Sequence, residues 1–214
     1  MTIVYESSED AIRKLEQIGV PLEPLHRAMK SGVAGRLSST DNDAPFMAGT
    51  LGWGMALRGL REGLCPLGWE KADPGNFSIV SNSKRNLNIV VESGDAATCR
   101  RFVQPRTKAP KGLYLEAVVL RNRIREDLFP ETLSEDVRRV AVALRHPTWV
   151  FLIYITATEC RAELSLPSMM RNEQVTHWDE RIFIPGPPDL GGLVRTPDLG
   201  PTAPIDIVVT KKVA

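Results

Sequence analysis

Over the first 64 residues, apolar side chains recur three and four positions apart, the spacing of one helix face. Ser8 is placed to cap a helix that carries Ala11, Ile12, Leu15 and Ile18 on one side, and Gly19-Val20-Pro21 stops it. Pro24 suits the first turn of a second helix with Leu25, Ala28 and Met29. A polar spacer at residues 38–45 leads into FMAGTLGWGMALRGLREG. That stretch predicts a helix packed close to a neighbour through small residues and ending at Gly63. Its glycines lack the GxGxxG order behind a strand that a phosphate-cradling loop needs.

From Phe77 the period falls to two. Phe77 and Ile79, then Leu87, Ile89 and Val91, point one way on two strands joined by the polar turn SNSKRN. Helical spacing returns at Leu113, Ala117, Leu120 and Ile124, and again behind Ser134 at Val137, Val140, Ala141 and Leu144. His146-Pro147 ends that last helix.

The stretch TWVFLIYI is continuously apolar and rich in β-formers, which predicts a central strand covered on both faces. Its continuation alternates: Cys160, Ala162, Leu164 and Leu166 point inward, and Arg161, Glu163 and Ser165 outward, so the pair is a hairpin. RIFIP at 181–185 and IDIVV at 205–209 add two strands. Helices early and mid-chain with strands joined by short connections define an α+β fold. The expected sheet is mixed, largely antiparallel, and of about five or six strands. The length of 214 residues suits a single domain over 1–214, with a helical N-terminal part at 1–65 and a sheet-containing core at 66–214.

Charge changes this picture only locally. A net charge of +1 excludes a surface that is wholly a nucleic-acid or membrane footprint. Yet CRRFVQPRTKAPKG, residues 99–112, concentrates Arg100, Arg101, Arg106, Lys108 and Lys111 with no acid and two stiffening prolines. It leads into a helix whose first amides can join the lysines in holding an anion, and Phe102 offers one stacking surface. A second unusual loop, at 185–204, contains PDLG twice, which is turn chemistry in a segment long enough to serve as a contact surface.

Catalytic signatures are missing: there is no GxSxG, HExxH or GxxxxGK[ST]. His177 and Asp179 share a strand face, which is the ordinary make-up of a strand entry salt-bridged to Arg181. Glu92 and Asp95 close a strand near Lys111, the ingredients of a Mg²⁺-dependent phosphodiesterase without the Pro-Asp…Glu-x-Lys spacing of nucleases. Cys65, Cys99 and Cys160 are odd in number and far apart, which points to reduced thiols and no zinc site. An acidic N-terminal run in place of a signal peptide, with no apolar stretch long enough to span a bilayer, points to a cytoplasmic protein without a membrane partner.

The expectation is therefore a non-enzymatic binding protein that needs no cofactor. It engages an anionic partner (nucleic acid, nucleotide or acidic protein) through residues 100–111, and a protein partner through 185–204. The alternative is a small Mg²⁺-dependent hydrolase using Glu92, Asp95 and Lys111.

Overall fold

The structure, a computed structural model, describes residues 1–107, 112–123 and 134–187. The double PDLG loop from 188 onward, the IDIVV strand, Lys108 and Lys111 lie outside the described residues.

The fold is α+β. Its strands are β1 (Ile3–Tyr5), β2 (Glu70–Ala72), β3 (Ile79–Asn82), β4 (Leu87–Ser93), β5 (Thr148–Ile155), β6 (Cys160–Arg171) and β7 (Gln174–Phe183). They form one seven-stranded sheet in the order β1-β7-β6-β5-β4-β3-β2, with more strands than the pattern predicted. The additional strands, β1 and β2, are three-residue edge pieces too short to carry a periodicity. Four of the six pairings are antiparallel; β1 with β7 and β4 with β5 are parallel.

Helices α1 (Ser8–Ile18), α2 (Leu22–Leu37) and α3 (Met47–Leu64) cover one face of the sheet, sharing a core with Val80, Ile89, Val91, Phe151, Ile153, Ala162, Leu164 and Ile182. Helices α4 (Leu113–Arg123) and α5 (Glu135–Ala143) cover part of the other face over Ile79, Val90, Val150 and Leu152. The crossover from β4 to its parallel neighbour β5 contains both helices, as parallel pairing requires.

Local signals account for most of these elements. Ser7, one residue before the predicted cap, accepts the Asp10 N–H at 3.1 Å, and Gly19 closes α1 in the left-handed region at φ 71°. Ser134 caps α5 as its sequence predicts. Helix α3 does not end at Gly63. It runs into a 3₁₀ turn at 65–67 that Gly68 stops at φ 84°, and Gly63 instead packs on Pro24. The close approach of α2 to α3 is real: a Cβ on Gly35 would lie 2.6 Å from the Leu51 carbonyl oxygen.

One expected side-chain direction and one expected exposure are corrected. Ile79 faces the α4–α5 side while Leu87, Ile89 and Val91 face the other, because Ile79 pairs with Val90 and shares its side of the sheet. Glu163 and Ser165 alternate away from Leu164 as predicted, yet both are fully buried. The face they point to is covered by the chain that follows β4.

Candidate functional site

That covering segment is the basic loop. Gly94 makes a bridge with Thr107, and residues between them bond to Glu163 on β6 and to Trp178 and Arg181 on β7. The anchor is a buried ion pair. The Arg181 guanidinium donates from Nε to Glu163 Oε1 at 2.9 Å and from Nη2 to Oε2 at 2.7 Å, with both side chains at 0% exposure. Arg181 Nη1 donates to the carbonyls of Arg100 at 3.1 Å and Val103 at 2.9 Å. Glu163 also accepts the Cys99 N–H at 2.7 Å and the Ser165 hydroxyl at 2.8 Å. Trp178, buried beside them, donates its indole N–H to the Pro105 carbonyl at 3.0 Å.

Besides each other, the two charges are met by the loop backbone and the Ser165 hydroxyl, which is how they are tolerated away from water. The loop follows the shape of its anchor: Cys99 takes a positive φ of 56° so that its N–H can reach Glu163.

With its backbone fixed from beneath, the loop turns its side chains outward. Arg100, Arg101 and Arg106 are exposed, Phe102 is 94% exposed and Val103 55%. Arg101 reaches Glu6 at 2.8 Å on the surface, and its guanidinium lies 5.9 Å from the Phe102 ring centroid. Among the described residues Arg101 thus pairs with Glu6, not with Asp95 or Glu116. Burial, then the Glu163 charge, pushes the Cys99 thiol far up, and burial pushes the Cys160 thiol, packed on the opposite face, up to about 12.

A concave site lies elsewhere, at the C-terminal end of β4. A cavity of about 690 Å³ is walled by Trp53 from α3, Val90, Glu92 and Ser93 from β4, Phe77, and Leu113 and Tyr114 from α4. Arg36 from α2, Phe46, Asn76 and Ser78 also line it. Trp53 is held against the sheet by its indole N–H on the Val91 carbonyl at 2.9 Å. Phe77 and Tyr114 stack at 5.1 Å, 11° from parallel. Tyr114 can sit there because residue 75 is glycine at φ 54°, where a Cβ would fall on its hydroxyl.

Glu92 is 8% exposed in this wall, so it is not the solvated strand end that turn composition alone implies. Asp95 lines a smaller adjoining cavity of about 210 Å³ that shares Arg36, Trp53 and Ser93. Its carboxylate accepts the Ala97 N–H at 3.0 Å, closing the turn into the loop. Among the described residues no group of three or more His, Cys, Asp or Glu side chains is placed to hold a metal.

His177 lies 3.9 Å from Asp179 and both are surface groups, while Arg181 leaves Asp179 for Glu163. Glu180 is held by Lys14 at 2.5 Å and by the Tyr5 hydroxyl at 3.0 Å. Among the described residues no helix is long and apolar enough to cross a membrane.

The fold and these two sites define a mixed-sheet α+β protein with a buried ion pair beneath one loop and an aromatic-walled cavity at a strand end. Comparison with protein-family models, with curated proteins and with solved structures finds no match for this chain.

Proposed function

We propose that this is a non-enzymatic binding protein whose working surface is the anchored loop at residues 99–107, and that its partner is single-stranded nucleic acid. The observation that carries this is the hold of Arg181 on the carbonyls of Arg100 and Val103. A loop that needed only to connect β4 to α4 has no use for a buried charge pair beneath it, and such a pair adds little net stability over apolar residues. Fixing the backbone removes ordering entropy from binding, which is where a preorganised contact surface gains affinity.

The surface so fixed carries three arginines with an exposed phenylalanine among them. Cations that meet phosphates and an aromatic face that meets a base are the two components of sequence-tolerant single-strand binding.

The test is fluorescence-anisotropy titration of labelled single-stranded RNA and DNA oligonucleotides at several salt concentrations, with the native protein and with a triple Arg100→Ser, Arg101→Ser, Arg106→Ser variant. Binding by the native protein should weaken with salt at a slope that reflects a few phosphates. The variant should lose both affinity and slope. No binding to either strand type, or equal binding by the variant, overturns the reading. An acidic protein recovered on the loop in place of nucleic acid would overturn the partner class.

A further inference from the structure

We propose that the cavity at the end of β4 is a second, separate site that binds a mononucleotide: a flat nitrogen heterocycle joined to a phosphate. Its walls are suited to a flat ring. The stacked pair of Phe77 and Tyr114 and the fixed indole of Trp53 supply apolar, planar side chains to the wall, and Phe46 at the rim is 68% exposed. A volume of about 690 Å³ falls in the range of small-molecule sites.

The polar groups in the walls are of opposite sign and lie on different elements. Arg36, in the last turn of α2, lines this cavity and its smaller neighbour, and its guanidinium has no hydrogen-bond or ion-pair partner among the described residues. An arginine left in that state at a cavity wall matches a phosphate, whose oxygens accept from its fork. Glu92, on β4, is a buried carboxylate in the same wall, and a carboxylate has lone pairs enough to accept from the ring N–H and amino donors of a base besides another partner. A simple anion would leave the aromatic walls unused, and an apolar ligand would leave Arg36 without a counter-charge, so a ligand with both parts satisfies the site.

None of the loop cations Arg100, Arg101 and Arg106 lines this cavity, so the two sites stand or fall separately.

The experiment is calorimetric titration of the full chain with GMP, AMP, CMP and UMP, with the matching nucleosides, and with inorganic phosphate. At least one nucleotide should bind, and its nucleoside should bind about tenfold more weakly, the loss expected of one charge-assisted contact. Arg36→Gln should bring the nucleotide to the level of the nucleoside. Phe46→Ser, at an exposed position, should weaken both by roughly fivefold or more, as loss of a stacking face does. Glu92→Gln should weaken both alike; if that buried change melts the protein, the other two variants decide.

Heat from none of the ligands at millimolar concentration overturns the proposal. So does inorganic phosphate binding as tightly as the nucleotides, or a nucleotide–nucleoside gap that survives Arg36→Gln.

Discussion

Arg181 and Glu163 lie side by side on neighbouring strands, joined by two hydrogen bonds of 2.9 and 2.7 Å with no exposed surface on either. Their strands are in a register that sets Ser165 against Arg181 and Phe183 against Glu163, so the two charges meet on the diagonal. The third arm of Arg181 leaves the sheet for the loop carbonyls. A strand-to-strand contact thereby becomes the foundation of a surface loop.

Removing one member of this pair strands the other. Arg181→Met or Glu163→Lys should each cost about 3–5 kcal/mol in urea unfolding. Glu163→Lys should therefore be as damaging as Leu164→Asp on the opposite face, although the alternation places Glu163 outward. The double variant Glu163→Met, Arg181→Met should recover much of the loss, because no charge remains buried. A double variant whose loss equals the sum of the singles would refute the coupling.

The same double variant separates anchoring from folding. It keeps every exposed cation of the loop but releases the carbonyls of Arg100 and Val103. Affinity for single-stranded nucleic acid should fall while the salt slope is retained, since the number of phosphates met is unchanged. Anisotropy titration at several salt concentrations measures both. Unchanged affinity in a folded double variant would show that the anchor is not needed for the surface.

Glycines on α3 and α2 make opposite predictions. Gly35→Ala sets a Cβ 2.6 Å from the Leu51 carbonyl, a backbone atom that cannot turn aside, and should cost roughly 1–3 kcal/mol. Gly54→Ala, also within a helix, meets nothing within 4 Å and should add up to about 1 kcal/mol through helix propensity. Thermal melts of the two variants check this.

Gly75 bears on the cavity alone. Gly75→Ala would displace Tyr114 from its stack on Phe77, both by its Cβ and by its φ of 54°. Nucleotide titrations should then lose affinity while oligonucleotide binding at the loop stays as it was. The Arg100, Arg101 and Arg106 triple variant should show the reverse.

His146 gives the pH dependence a sign. Burial, then the charges of Arg121 and Arg145, hold its pKa below the ordinary 6.5. The native state therefore favours neutral imidazole, and the unfolded chain takes up a proton first as pH falls. This contribution is present above 6.5 and is lost as pH drops through that value toward the depressed one. Between about pH 7.5 and 5.5, His146→Asn should flatten the decline in unfolding free energy. A decline of equal steepness in the variant would assign it to other groups.

Much of the architecture is determined by the sequence on its own, because the signals are local. The cap at Ser134, the left-handed stop at Gly19 and the small-residue seam between α2 and α3 depend on a few neighbouring residues. The continuous apolar run of β5 marks it as a strand covered on both faces, and it is the middle strand of the seven. The unusual charge of residues 99–107 is equally plain in the sequence. Tertiary structure alone decided what lies against what. Alternation reports which face a side chain takes but not what covers that face, so Glu163 and Ser165 read as surface groups until the loop is laid over them. The cavity has the same origin: Arg36, Trp53, Glu92 and Tyr114 come from four separate elements, and no spacing along the chain records their meeting. Periodicity is a property of one element, whereas a site is made where elements meet, and that meeting is set by the packing of two helical layers on one twisted sheet.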